Sequence, residues 1–134
     1  MKKIFRHKIK VYYEDTDSGG VVYHANYLKF FERARSEALS EVGLSNLKIK
    51  KDYDLIIVVK SCNIDFNKSA YLEDQLKVNS FITSFSKTSF TMSQSIFRDK
   101  DIIVNSKIHL VFINEKNKPV KIPEKILTSL NPYL

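Results

Sequence analysis

The chain has 134 residues, 43% hydrophobic and 28% charged, with a formal net charge of +7. That length predicts one domain over residues 1–134 with a core of its own, and no apolar run is long enough for an integral membrane segment. The basic opening "MKKIFRHKIK" lacks the apolar centre of a signal peptide, and the single cysteine, Cys62, leaves no internal disulfide, so a cytoplasmic location is the expectation.

The positive charge favours an anionic partner without naming it. Lysines are spread along the chain, with short clusters only at Lys2-Lys3 and Lys48-Ile49-Lys50-Lys51, and no nucleic-acid motif accompanies them. A phosphate-bearing small molecule accounts for the charge at least as well as a nucleic acid, so no nucleic-acid partner is expected.

Residues 4–13 read as a strand with Phe5, Ile9 and Val11 on one face. The stretch "EDTDSGG" then breaks the pattern, as clustered Asp, Ser and Gly do. From His24 the period changes. Tyr27, Phe31, Ala34, Ala38 and Val42 recur at three or four residues, the stripe of an amphipathic helix. Arg33 and Glu37 suit its solvent side, and Gly43 suits the left-handed residue that ends it. Residues 54–66, "DLIIVVKSCNIDF", are apolar and β-branched enough to predict a strand buried on both faces, with Cys62 as a buried small hydrophobe.

Three more strands follow. Leu76, Val78 and Ile82 alternate with Lys77, Asn79 and Thr83. Phe90, Met92 and Ile96 share a face, and so do Ile102, Val104, Ile108, Leu110 and Phe112. Arg98 to Asp101 reads as a polar hairpin connection, and Pro123 opens a short C-terminal helix. The order β-α-β-β-β-β predicts an α+β fold in which an antiparallel sheet wraps around one long helix. The apolar stretch 54–66 exceeds what one helix covers, so edge pairing with a second copy is expected, giving a homodimer or a larger homo-oligomer.

The densest chemistry lies between Val11 and Glu37. Asp15 and Asp17 stand two apart, and Gly19-Gly20 separates them from the helix. A metal would need three or four convergent ligands, and with His7, His24 and His109 scattered, no metal site and no cofactor are expected. A helix N-terminus carries unpaired N–H groups and a partial positive charge, and glycine upstream lets a ligand approach the backbone. Such a terminus polarises a carbonyl, while a nearby carboxylate serves as nucleophile or general base. On this reading Asp17 carries the chemistry, Asp15 serves the turn, and His24 orients substrate or water.

The run "VYYEDTDSGGVVYHANYLKFFERARSE" strongly resembles the signature of hotdog-fold acyl-CoA thioesterases of the 4-hydroxybenzoyl-CoA thioesterase type. Within that group it is most similar to the Tol–Pal-associated acyl-CoA thioesterases of Gram-negative bacteria. The later "NIDFNKSAYLEDQLKV" is similar to the family's second strand region. The resemblance implies a metal-independent hydrolase of acyl-CoA thioesters with its active site at a dimer interface. It implies that Asp17 is the catalytic acid and that His24 and Tyr13 are further active-site residues. It also places substrate binding at Gly20, Val22 and Tyr23, with N–H groups around Val22 to His24 facing the thioester carbonyl. CoA enters as part of the substrate, its phosphates met by Lys or Arg, and acyl carrier protein is the other possible carrier. Side chains such as Phe30, Phe31, Val59 and Met92 would shape the acyl pocket. Two other readings use the same features: a hotdog-fold acyl-thioester dehydratase or hydratase, with His24 as acid/base, and a non-catalytic acyl-thioester binding protein of a membrane-linked complex.

Overall fold

The computed structural model describes residues 2–134. Five strands form one antiparallel sheet: β1 (Phe5–Lys10), β2 (Ile56–Phe66), β3 (Gln75–Phe85), β4 (Ser89–Arg98) and β5 (Asp101–Ile113), in the spatial order β1-β3-β4-β5-β2. The long helix α1 (Asn26–Glu41) packs its buried Tyr27, Phe30, Phe31, Ala34, Ala38 and Leu39 on one face of the sheet. Alternation supplies the matching surface: Leu76, Val78 and Ile82 of β3, Phe90, Met92 and Ile96 of β4, and Val104, Ile108, Leu110 and Phe112 of β5 are all buried. This is the expected α+β arrangement of a sheet wrapped around a helix. No helix among the described residues is long and apolar enough to cross a membrane.

Helix α1 begins two residues after His24 and ends as its sequence predicts. Gly43 takes φ +78°, and its N–H and that of Leu44 donate to Ser40 O and Leu39 O. A second helix, α2 (Asn46–Tyr53), was not expected. The Ser45 side chain caps it by accepting from the Lys48 N–H at 3.1 Å, and Ile49 anchors it in the core with half-buried Tyr53 packed beside it. With one buried side chain and lysines around it, α2 offers no stripe to read. Helix α3 (Glu124–Leu130) starts after Pro123 and buries Ile126 and Leu130.

Two strand expectations need correction. Among the described residues β2 is a sheet edge paired with β5 alone, and it is not buried on both faces: Ile56, Val59, Cys62 and Phe66 are exposed. Cys62 is therefore an exposed thiol and not a core hydrophobe. In β5 the pairing shifts between Ile96 and Phe97, leaving Ile103 as an extra residue. The bulge turns Ile103 into the core and Ile102 outward.

Candidate active site

The segment between β1 and α1 folds back on itself. A 3-10 turn, Tyr13–Asp15, buries Asp15, whose Oδ2 accepts from the Tyr12 N–H at 2.9 Å. The Asp15 carbonyl accepts from Asn26 Nδ2 at 2.8 Å and from the Tyr23 N–H at 3.0 Å. Asp15 thus ties the turn to the start of α1, as a structural residue would. Beyond it Thr16 and Val22 bridge, the Asp17 N–H donates to Val21 O at 2.9 Å, and the Gly20 N–H donates to Asp17 O at 3.1 Å.

Asp17 therefore opens a tight turn closed by Gly20, which has φ +80° and so occupies a conformation that suits glycine. The Gly19 N–H donates to Asp17 Oδ1 at 2.8 Å and fixes the carboxylate at the tip. The carboxylate is exposed, and among the described residues Oδ2 receives no donor. Gly19 also matters for space: a Cβ there would sit 3.2 Å from Asp17 Oδ1.

The loop between β2 and β3 holds this ribbon from the other side. Ala70 O accepts from the Val22 N–H at 2.9 Å, and the Ala70 N–H donates to the Tyr27 hydroxyl at 3.0 Å. Burial raises the Tyr27 phenol above its ordinary pKa, against the opposing pull of the Ala70 amide. Arg98 clamps the loop, with Nη1 donating to Ser69 O at 2.9 Å and to Asp74 Oδ2 at 2.8 Å. The same Oδ2 accepts from the Tyr71 N–H at 2.8 Å, and the guanidinium lies 5.7 Å from the Tyr71 ring centre.

These bonds redraw the expected set of polarising amides. The Val22 and Tyr23 N–H groups are spent on Ala70 O and Asp15 O. Only the His24 N–H of the three, with that of Ala25 beside it, lacks an acceptor among the described residues. The Val22 side chain belongs to the core, and Gly20 shapes the turn. The His24 ring is exposed, 4.6 Å from the Tyr23 ring and edge-on to Phe66 at 6.2 Å, with Phe66 in turn 5.7 Å from Tyr27. Tyr13 stands apart, 81% exposed, and among the described residues only its carbonyl is engaged, by Thr16. Among the described residues, no three His, Cys, Asp or Glu side chains gather closely enough to hold a metal ion.

Phe66, the Tyr27 hydroxyl and Arg98 were not singled out as site residues from the sequence. Phe66 ends an apparently buried strand, Tyr27 reads as one of the helix stripe, and Arg98 reads as a hairpin residue. Only the closeness of "NIDFNKSAYLEDQLKV" to a known pattern pointed to this loop.

Comparison with known proteins adds a family to this geometry. Residues 11–130 match the model of the Thioesterase-like superfamily. The chain belongs to that superfamily. It is similar to the acyl-CoA thioesterase YbgC of Haemophilus influenzae, at 35% identity over 91% of this chain and 90% of that protein. It is similar to the acyl-CoA thioester hydrolase YbgC of Escherichia coli O157:H7, at 36% identity over 92% and 93% of the two chains. Among solved structures, a probable thioesterase from Bartonella henselae superposes with a TM-score of 0.87 at 35% identity, over 90% of this chain and all of that one. The thioesterase-like assignment covers the Asp17 turn, α1, the 69–74 loop and all strands except β1.

Proposed function

We propose that this chain is an acyl-CoA thioesterase, hydrolysing acyl-CoA to a free carboxylic acid and CoA. The observation that carries the reading is the exposed Asp17 carboxylate, fixed by the Gly19 amide through one oxygen and unengaged at the other, on a ribbon that leads directly to the open His24 amide. The relatives that share the superfamily and bear thioesterase names support the same class of reaction.

In this mechanism the thioester carbonyl oxygen accepts from the His24 N–H at the positive end of α1, which stabilises the oxyanion as it forms. Asp17 acts in one of two ways. Attack by its free oxygen expels the CoA thiolate and leaves a mixed anhydride, which water then hydrolyses. Alternatively it takes a proton from water, whose oxygen attacks the carbonyl, and the same proton passes to the departing thiolate. Neither route requires a metal. The His24 ring borders the approaching thioester, and exposed lysines meet the CoA phosphates. We further propose that two copies pair through the exposed edge of β2, which brings the open side of the His24–Phe66 cluster against a second chain.

A thiol-detection assay on an acyl-CoA series from short to long chains tests the reading. Stoichiometric free CoA from at least one member is expected. Tight acyl-CoA binding without thiol release, or loss of the thioester with no free CoA, would overturn it.

A further inference from the structure

Beneath the C-terminal half of α1 lies a cavity of about 160 Å³, separate from the Asp17 turn. Its depth is apolar, with Ala38 and Leu39 of α1, Phe90 and Met92 of β4, and Leu110 of β5 among its walls. Its polar lining consists of exposed or half-exposed groups: Glu32, Arg35, Ser36 and Asn46. One end is therefore a mouth and the other is hydrocarbon. An apolar cavity of about this size, roughly 150 Å³, accepts a six-carbon ring.

Arg35 distinguishes the mouth. Its Nη1 donates at 2.9 Å to Oε1 of Gln94, a fully buried amide. Gln94 Nε2 is in turn committed to Phe31 O at 3.1 Å and Ser80 Oγ at 2.9 Å. Among the described residues no carboxylate lies within 4.0 Å of the guanidinium. The nearest acid on its own helix, Glu32, instead accepts from Ser36 Oγ at 2.9 Å, and Ser36 Oγ accepts from Asn46 Nδ2 at 3.1 Å. Burial pulls the Arg35 pKa down from its ordinary value, and Glu32 only partly offsets that. A half-buried guanidinium with one neutral partner retains unused donors and gains from a carboxylate, which it binds with two parallel N–H bonds.

We propose that this cavity binds a free aliphatic carboxylate of about four to six carbons, its head group on Arg35 and its tail among Ala38, Met92 and Leu110. The mouth is displaced from the Asp17 turn, while Val59 and Met92, expected above to shape the acyl pocket, are among the cavity walls. Arg35 is nine residues beyond the first residue of α1, about 13 Å along the helix axis at 1.5 Å per residue. The inference does not rest on the hydrolase reading. Where that reading holds, the ligand is of the same chemical class as the reaction product, and the cavity becomes a place where product accumulates outside the reacting centre.

Methionine methyl labelling tests this directly, since the chain has only two methionines, Met1 and Met92, and Met92 lines the cavity. Titration with hexanoate is expected to move the Met92 methyl resonance saturably, whereas acetate and hexylamine leave it in place. Asp17→Asn should titrate like wild type. Arg35→Leu should weaken binding by about tenfold or more, the loss of one charge-assisted contact. Ala38→Leu, which fills the tail space and keeps Arg35 on Gln94, should abolish the shift. A silent Met92 in wild type, equal binding of hexylamine and hexanoate, or undiminished binding by Arg35→Leu or Ala38→Leu would overturn the proposal.

Discussion

Asp17 owes its position to the two glycines after it, and they do different work. Gly19 donates its N–H to Asp17 Oδ1 and has only 3.2 Å of room for a Cβ beside that oxygen. Gly19→Ala is therefore expected to push the carboxylate aside and lower kcat, with stability in urea changed by no more than about 0.5 kcal/mol. Gly20 has open space around it but φ +80°. Gly20→Ala should cost about 1–2 kcal/mol through backbone conformation alone, read as a lower urea midpoint at unchanged slope. The two acids show how much of the site was legible at this scale. Glycines between an acid and a helix single out Asp17, and the structure agrees that Asp15 is a turn residue, buried against the Tyr12 N–H. The spent amides of Val22 and Tyr23 were not legible, because their acceptors, Ala70 O and Asp15 O, are backbone atoms on which residue identity leaves no mark.

Among the elements, α1 and the 69–74 loop are joined through one phenol. Tyr27 accepts from the buried Ala70 N–H at 3.0 Å, and Ala70 O holds Val22. Tyr27→Phe keeps the ring but strands that amide, so it is expected to cost about 1–3 kcal/mol in denaturant titrations and to lower thioester turnover as the ribbon loosens. Helix α1, its closing Gly43 and the alternation of β3 and β4 were readable because each buries a face with its own period. The limits of that reading are equally physical. In β2, apolar content was taken for burial on both faces, yet this edge strand packs only Ile57 and Ile64 partly against the core and leaves most of its residues exposed. The Ile103 bulge and α2 were invisible, since a one-residue register shift and a two-turn helix with only Ile49 and half-buried Tyr53 on the core leave too little periodic trace.

For the molecule as a whole, the open edge of β2, with exposed Val59 and Phe66 on its helix-side face and exposed Ile56 on the other, is the argument for pairing of copies. Sedimentation should give at least twice the 15.6 kDa chain mass, and Ile56→Lys should shift the population toward that single-chain value. The net charge of +7 acts at the same scale. Raising ionic strength from about 0.01 M to 0.15 M shortens the screening length from roughly 30 Å to 8 Å, so KM for acyl-CoA should rise while kcat holds. The acyl-CoA series run on wild type and Asp17→Asn side by side bears most directly on the central claim that Asp17 performs thioester hydrolysis. Wild type should release CoA, and Asp17→Asn should bind the same acyl-CoA, melt at a similar temperature and release thiol about a thousandfold more slowly or worse. Near-normal thiol release by folded Asp17→Asn would contradict it.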